Sequence, residues 1–103
     1  FTKEQLDQLI GKFGKAQVYL VNTRVPRSYE NHVNTLMTEA AKDKKNVTLI
    51  DWYSRSKGHT EYFAPDGIHL ENDGVEALTD EILKSIKNFT LKRVSTFSRD
   101  RGM

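Results

Sequence analysis

The chain has 103 residues, which allows one domain at the small end of what a single hydrophobic core can stabilise. Sixteen Lys and Arg residues against 14 Asp and Glu residues leave a formal net charge of +2, too small to predict nucleic-acid binding. The absence of Cys excludes a disulfide framework and a thiolate metal site. No apolar run approaches the roughly 20 residues that span a bilayer, so we expect membrane attachment only through other parts of a parent protein.

The first residues predict a helix and then a buried strand. Thr2 and Gln5 have the spacing of a capping box, and apolar side chains recur at helical intervals over residues 3–13. Residues 16–21 form a compact apolar run without polar alternation, which is typical of a strand covered on both faces in a parallel sheet. Pro26 interrupts the pattern, so a loop is expected over residues 22–27.

The middle of the chain repeats this order. Ser28 is the predicted N-cap of a second helix. The apolar face of this helix consists of Val33, Leu36, Met37, Ala40 and Ala41. Residues 47–52 predict a second buried strand. The polar residues 53–68 then form a long connection, and a loop of that length in a compact domain is usually functional or mobile.

A third amphipathic helix is predicted next. Its apolar face consists of Val75, Leu78, Ile82, Leu83, Ile86 and Phe89. We expect residues 1–89 to belong to one α/β domain and residues 90–103 to form a basic, poorly ordered tail. The basic residues of this tail are Lys92, Arg93, Arg99 and Arg101, which either contact an anionic envelope polymer or remain solvated.

The order of elements predicts the α/β fold class, with a parallel sheet flanked by helices. Two strands are too few to cover three amphipathic helices, and both sheet edges would be open. We therefore expect further strands from elsewhere, either from a missing N-terminal half of the domain or by self-association. The sequence also begins with Phe1 rather than Met, which is expected of a processed product or a piece of a longer protein.

The most informative stretch contains Asp66 and His69, separated by a glycine and an isoleucine. A carboxylate at this spacing can reach the Nδ1–H of the histidine within one tight turn, which leaves Nε2 free to accept a proton. An Asp-Gly pair also forms ordinary turns, so the two residues taken alone are compatible with a loop without catalytic function. The surrounding sequence favours the catalytic interpretation.

The flanking residues form an ordered pattern. Asp51-Trp52 lies at a strand end, Asp66-Gly67-Ile68-His69-Leu70 follows after a loop, and Gly74 and a terminal helix come last. This pattern resembles the last conserved block of SGNH-type (GDSL-like) hydrolases. More narrowly, it resembles the extracytoplasmic domain of bacterial peptidoglycan O-acetyltransferases, and the resemblance extends over residues 1–86. It implies a three-layer α/β fold, of which this chain is the C-terminal part, placed on the extracytoplasmic face of a bacterial membrane.

The resemblance also implies roles for two residues. Asp66 would orient His69, and His69 would act as general base and then general acid toward a serine, in acyl transfer or ester hydrolysis at a carbohydrate. The blocks that carry the nucleophile and the oxyanion donors in this family are absent from the 103 residues. None of the serines follows a strand in a tight nucleophile turn: Ser28, Ser54, Ser56, Ser85, Ser95 and Ser98.

Three further polar residues are weaker candidates for substrate binding. Asn22 and Arg24 follow the first strand, where substrate contacts gather in α/β sheets, but capping of the loop explains them equally well. His59 lies in the long loop and either contacts substrate or is a solvated loop histidine. No cofactor is predicted. No metal site is predicted either, because His69 and Asp66 would need a clear third ligand, and His59 is better explained as a solvated loop histidine. The alternative to an enzyme part is a non-catalytic remnant or interaction module that binds a partner through an open sheet edge.

Overall fold

The computed structural model describes the backbone of residues 1–100 and the side chains of residues 1–91. In chain order the elements are α1 (Lys3–Gly11), β1 (Val18–Val21), α2 (Glu30–Asp43), β2 (Val47–Ile50), α3 (Trp52–Arg55), a 3-10 helix (Thr60–Tyr62) and α4 (Asn72–Asp100). The two strands pair in parallel, with Val18 opposite Val47 and Val21 opposite Ile50. The expected α/β class, with a parallel sheet flanked by helices, is confirmed at this level for the described residues.

Helix α1 begins with the predicted capping box. The Thr2 hydroxyl accepts a hydrogen bond from the Gln5 backbone at 3.1 Å, and the Thr2 backbone donates to the Gln5 side chain at 2.9 Å. Two backbone donors at the helix start are thereby satisfied. The helix ends at Gly11 rather than at Phe13, because the following residues form tighter turns, and the Phe13 side chain is exposed.

Helix α2 begins at Glu30, and Ser28 is not its cap. Tyr29 occupies the N-cap position without a side-chain hydrogen bond. The Glu30 carboxylate instead accepts a hydrogen bond from the Val25 backbone at 2.7 Å, which ties the preceding loop to the helix. The buried face of α2 forms the first core with α1 and β2. The buried residues of this core are Leu6, Ile10, Leu36, Ala40 and Val47.

The second strand ends two residues before its predicted end because Asp51 caps a short helix that the sequence did not indicate. Asp51 Oδ1 accepts from the Ser54 backbone at 3.1 Å, and Asp51 Oδ2 accepts from the Ser54 hydroxyl at 2.8 Å. Trp52 therefore belongs to α3 and not to β2. It is buried in a second core with Tyr62 and Ala77. The connection over residues 53–68 is thus largely built around this core.

Helix α4 is longer than predicted at both ends, since it begins at Asn72 and continues past Phe89 to Asp100. Only part of its predicted apolar face is covered: Leu78 packs against the second core, whereas Leu83 is 59% exposed. The predicted side-chain contacts of Lys92, Arg93, Arg99 and Arg101 lie outside the described residues, and the division into residues 1–89 and 90–103 stays a prediction. In the part of the chain that the structure describes, no helix has the length and apolar character to cross a membrane.

Candidate active site

The candidate site lies on a short hairpin, residues 63–70, between the 3-10 helix and α4. Its base is closed by an antiparallel bridge between Phe63 and Leu70 and by a hydrogen bond from the Ala64 backbone N–H to the His69 carbonyl at 2.8 Å. Gly67 forms the tip with φ of +72°, a conformation that side chains rarely adopt. A Cβ atom at this position would also lie 3.2 Å from Cγ of Pro26. Gly67 is therefore required by the turn.

This turn brings Asp66 and His69 together. Asp66 Oδ2 lies 2.5 Å from His69 Nδ1, and Asp66 Oδ1 accepts from the backbone N–H groups of Ile68 at 2.9 Å and His69 at 3.1 Å. Because an ionised carboxylate only accepts hydrogen bonds, the proton of the neutral imidazole is on Nδ1. Among the described residues, Nε2 has no hydrogen-bond partner, and the His69 side chain is 80% exposed.

The hydrogen bonds also keep Asp66 ionised. Three hydrogen bonds lower the pKa of Asp66 from 3.8 to about 2. In decreasing order of effect, their donors are the backbone N–H of Ile68, the side chain of His69 and the backbone N–H of His69. A carboxylate held in this way fixes the tautomer and the ring orientation of the histidine beside it. The pair can thus present an unprotonated Nε2 to a hydroxyl group.

Tyr62 anchors the hairpin to the helices on either side. Its backbone carbonyl accepts a hydrogen bond from the Glu71 N–H at 2.8 Å. Its ring stacks on Trp52 with a centroid distance of 5.8 Å, and its hydroxyl lies 3.0 Å from Arg55 Nη1. Arg55 in turn forms an ion pair with Glu81 of α4 at 3.3 Å. Tyr62 carries no signal in the sequence, because one aromatic residue in a polar stretch has no periodic pattern around it.

Asn22 is buried and cross-links the ends of the two strands. Its Nδ2 donates to Asp51 Oδ1 at 2.7 Å, and its Oδ1 accepts from the Tyr53 backbone at 2.7 Å. Burial opposes ionisation of Asp51, but the hydrogen bonds from Asn22 and Ser54 outweigh it and lower the pKa of Asp51. Asn22 therefore has a structural role in this fold, and the prediction that it binds substrate stays a prediction.

Arg24 crosses from the loop after β1 to α3. Its Nε donates to the Ser56 hydroxyl at 2.8 Å, its Nη2 donates to the Tyr53 carbonyl, and its guanidinium lies 4.1 Å from the centre of the Tyr53 ring. Arg24 also lines a groove of about 810 Å³ that Gly67 of the hairpin borders. The structure thus places Arg24 beside the hairpin, where its predicted contact with substrate stays a prediction.

His59 contacts Glu61 and Tyr62, and its predicted contact with substrate stays a prediction. Its Nδ1 lies 3.0 Å from Glu61 Oε2, and its ring stacks on Tyr62 with a centroid distance of 4.4 Å. Among the residues whose side chains are described, no group of three or more His, Asp and Glu residues is arranged to hold a metal ion.

The serines within the described residues have other roles or no partner. The Ser54 hydroxyl bonds to Asp51, and the buried Ser56 hydroxyl donates to the Trp52 carbonyl at 2.7 Å. Within residues 1–91, no serine hydroxyl is hydrogen-bonded to His69. The side chains of Ser95 and Ser98 lie outside the described residues.

The chain was compared with known proteins. No family model matches it, but several curated proteins are similar in sequence. Over 87 residues, or 84% of this chain, it is 69% identical to a protein of Staphylococcus aureus strain COL named "Putative O-acetyltransferase". It is also 58% identical over 87 residues to O-acetyltransferase OatA of Staphylococcus aureus strain NCTC 8325 / PS 47. This chain is similar to O-acetyltransferases. The matched residues make up 14% of the length of each of these two relatives, so the chain spans only a small part of them.

Proposed function

We propose that this chain is the C-terminal part of an SGNH-like, three-layer α/β domain of a serine-dependent O-acyltransferase or esterase. Its reaction is O-acetyl transfer to or from a cell-envelope carbohydrate, and the chain supplies Asp66 and His69. The observation that carries the proposal is the 2.5 Å contact between Asp66 Oδ2 and His69 Nδ1, with Nε2 unoccupied. The similarity to O-acetyltransferases supports the acyl-transfer chemistry.

The proposed reaction has two steps, in which His69 moves the proton. A serine from outside these residues attacks the acyl carbon while its hydroxyl proton passes to Nε2 of His69. The imidazolium then protonates the departing alcohol oxygen, which leaves an acyl-serine. In the second step, a sugar hydroxyl or water gives its proton to Nε2 and attacks the acyl carbon, and the serine oxygen leaves with the proton. Asp66 stabilises the imidazolium and keeps its ring in place.

The remaining parts of the site would come from upstream sequence. The oxyanion donors and the serine belong to the missing N-terminal half of the domain, and that half would also cover the open sheet edge. The exposure of Leu83 on α4 and the small two-stranded sheet support this arrangement. Placement on the extracytoplasmic face of a bacterial membrane, with attachment through other parts of the parent protein, belongs to the same proposal.

Hydrolysis of p-nitrophenyl acetate tests the proposal. The chain alone should show no turnover above the uncatalysed rate, whereas a longer protein that includes the upstream sequence should be active. In the longer protein, Asp66→Asn should lower kcat by about 10⁴-fold, because the amide stabilises the wrong tautomer. His69→Gln should reduce the rate to the residual level that binding and the oxyanion donors provide.

The matched controls are Asp80→Asn and His32→Gln, which change the same residue types on exposed helix surfaces. Both should retain full activity. Saturable turnover by the chain alone that depends on His69 would contradict the need for an external serine. Full activity of His69→Gln in the longer protein would refute the catalytic role and would favour the interaction-module alternative.

A further inference from the structure

A second groove, of about 480 Å³, runs along α2 on the side of α3 and is separate from the hairpin groove described above. We call it the α2 groove and define it by Asn31, Thr35 and Glu39 of α2 and by Asp51 and Tyr53 at the end of β2. Asp51 directly follows β2, and Asn22 in the groove wall directly follows β1. The α2 groove therefore opens at the carboxyl ends of the parallel strands, where α/β folds bind their ligands.

Three polar side chains on its α2 wall are free, whereas Asn34 and Thr38 on the same wall are hydrogen-bonded within the fold. Asn31, Thr35 and Glu39 are exposed, and none of them forms a side-chain hydrogen bond or ion pair within the described part of the chain. Because they are spaced four residues apart, their amide, hydroxyl and carboxylate groups lie on one face of α2, about one turn from each other. This wall therefore offers both donors and acceptors to a ligand.

The opposite wall offers an aromatic surface. Tyr53 lines the groove and remains 38% exposed, while Arg24 covers part of its ring at 4.1 Å. The Tyr53 backbone N–H donates to Asn22 Oδ1 at 2.7 Å, and Arg24 packs on the ring, so both are held before any ligand binds.

The charges of the groove exclude several classes of ligand. Three carboxylates, those of Glu30, Glu39 and Asp51, face one ammonium group, that of Lys42, so a phosphate or another anion would be repelled. No aliphatic hydrophobic residue lines the groove, so an acyl chain would find no apolar surface. A neutral ligand rich in hydroxyl and amide groups fits both conditions. Sugars have this chemistry, and their C–H faces pack on aromatic rings.

We propose that the α2 groove is a binding site for a neutral oligosaccharide, the acceptor or donor chain of the reaction. The proposal rests on the function proposed above and extends it to Asn31, Thr35 and Tyr53 as specificity-determining residues. Glu30 lines both the α2 groove and the hairpin groove, and the hairpin groove ends at Gly67 beside Asp66. The two grooves are therefore neighbours that meet at Glu30.

Titration with chitotetraose, a neutral β-linked tetrasaccharide of N-acetylated sugars, tests this proposal. The readout is the ¹H–¹⁵N spectrum of the labelled 103-residue chain, repeated on the longer protein. Saturable shifts should be confined to the amides of α2 and of residues 51–54. The double variant Asn31→Ala/Thr35→Ala should bind at least about tenfold more weakly, since two hydrogen bonds are lost. Tyr53→Leu should weaken binding to a similar extent.

The matched control is Asn88→Ala/Thr79→Ala, which removes the same side-chain types from exposed positions on α4 and should bind normally. Absence of saturable shifts in both proteins, shifts that map elsewhere, or normal binding by the Asn31→Ala/Thr35→Ala variant would overturn the proposal. Binding does not need the catalytic pair, so His69→Gln should bind chitotetraose normally. If the groove proposal fails, chitotetraose does not bind but the activity of the longer protein still depends on His69. If the proposed function fails, chitotetraose binds but the activity does not depend on His69.

Discussion

At the scale of single residues, the Asp66–His69 pair is built almost entirely from local contacts. Asp66 uses one oxygen for two backbone N–H groups and the other for the imidazole of His69, all within three residues of its own position. A side chain with both oxygens occupied has little freedom to rotate, so the imidazole is held without support from distant elements. The geometry of the pair therefore does not require the serine to be present.

The first prediction concerns the titration of Asp66. Its pKa in the folded hairpin, about 2, lies below the ordinary value of 3.8, so folding favours the ionised form. The stabilisation of the hairpin is complete above about pH 4 and should be lost as the pH falls through about 2. The ¹³C shift of the Asp66 carboxyl group should show this low midpoint.

In the variant His69→Gln, the titration midpoint of Asp66 should rise but stay below 3.8, because the two backbone donors remain. A midpoint near 3.8 in the unchanged chain would mean that the hydrogen bonds of Asp66 do not form in solution.

Two tyrosine hydroxyls provide a second prediction. The Tyr19 hydroxyl is buried without a hydrogen-bond partner among the described residues, whereas the Tyr62 hydroxyl accepts from Arg55. An unsatisfied buried polar group costs about 1–3 kcal/mol, while a formed hydrogen bond contributes about 1 kcal/mol. Tyr19→Phe should therefore leave the free energy of unfolding unchanged or raise it, and Tyr62→Phe should lower it by about 1 kcal/mol. Urea denaturation of the two variants measures the difference, and an equal loss in both would contradict the contrast.

At the scale of the elements, the hairpin depends on how closely α4 approaches Tyr62. A Cβ atom on Gly74, in the first turn of α4, would lie 2.2 Å from the Tyr62 carbonyl oxygen. This neighbour is a backbone atom and not the end of a flexible side chain, so it cannot easily move aside. Gly74 therefore sets the distance between α4 and the base of the hairpin, and the Glu71 N–H bond to the same carbonyl depends on that distance.

Gly74→Ala tests this contact. Because α4 or Tyr62 has to move, we expect a loss of at least about 2 kcal/mol in the free energy of unfolding, within the range of overpacking effects. The control is Gly11→Ala, where a Cβ atom meets nothing within 4 Å and the substitution should be neutral or stabilising by up to about 1 kcal/mol. Equal effects of both variants on chemical denaturation would show that the close approach of α4 is not required.

At the scale of the whole molecule, the chain has two small cores and several uncovered apolar surfaces. The sheet within the described residues has two strands of four residues each. The large exposed apolar side chains include Leu9, Phe13, Val75, Leu83 and Ile86. Exposed apolar surface of this extent is typical of faces that are covered by another segment or subunit.

The final prediction follows from these surfaces. We expect the purified chain either to self-associate or to bind the upstream half of the domain when the two are mixed, and we favour the upstream half as the occupant. Light scattering and thermal denaturation of the chain, with and without that half, measure this. A strictly monomeric chain with a sharp thermal transition, unchanged by the upstream half, would show that the chain forms a complete core by itself.

The sequence by itself determined the α/β class, the capping box at Thr2, the parallel strands and the pairing of Asp66 with His69, because each depends on residues close together in the chain or on local periodicity. Only the tertiary structure decided that Asp51 caps α3, that Tyr62 anchors the hairpin, and that Asn22 is held by Asp51 across the strand ends. These contacts join residues distant in sequence or depend on the direction of a side chain. They arise from packing, for which periodicity carries no signal.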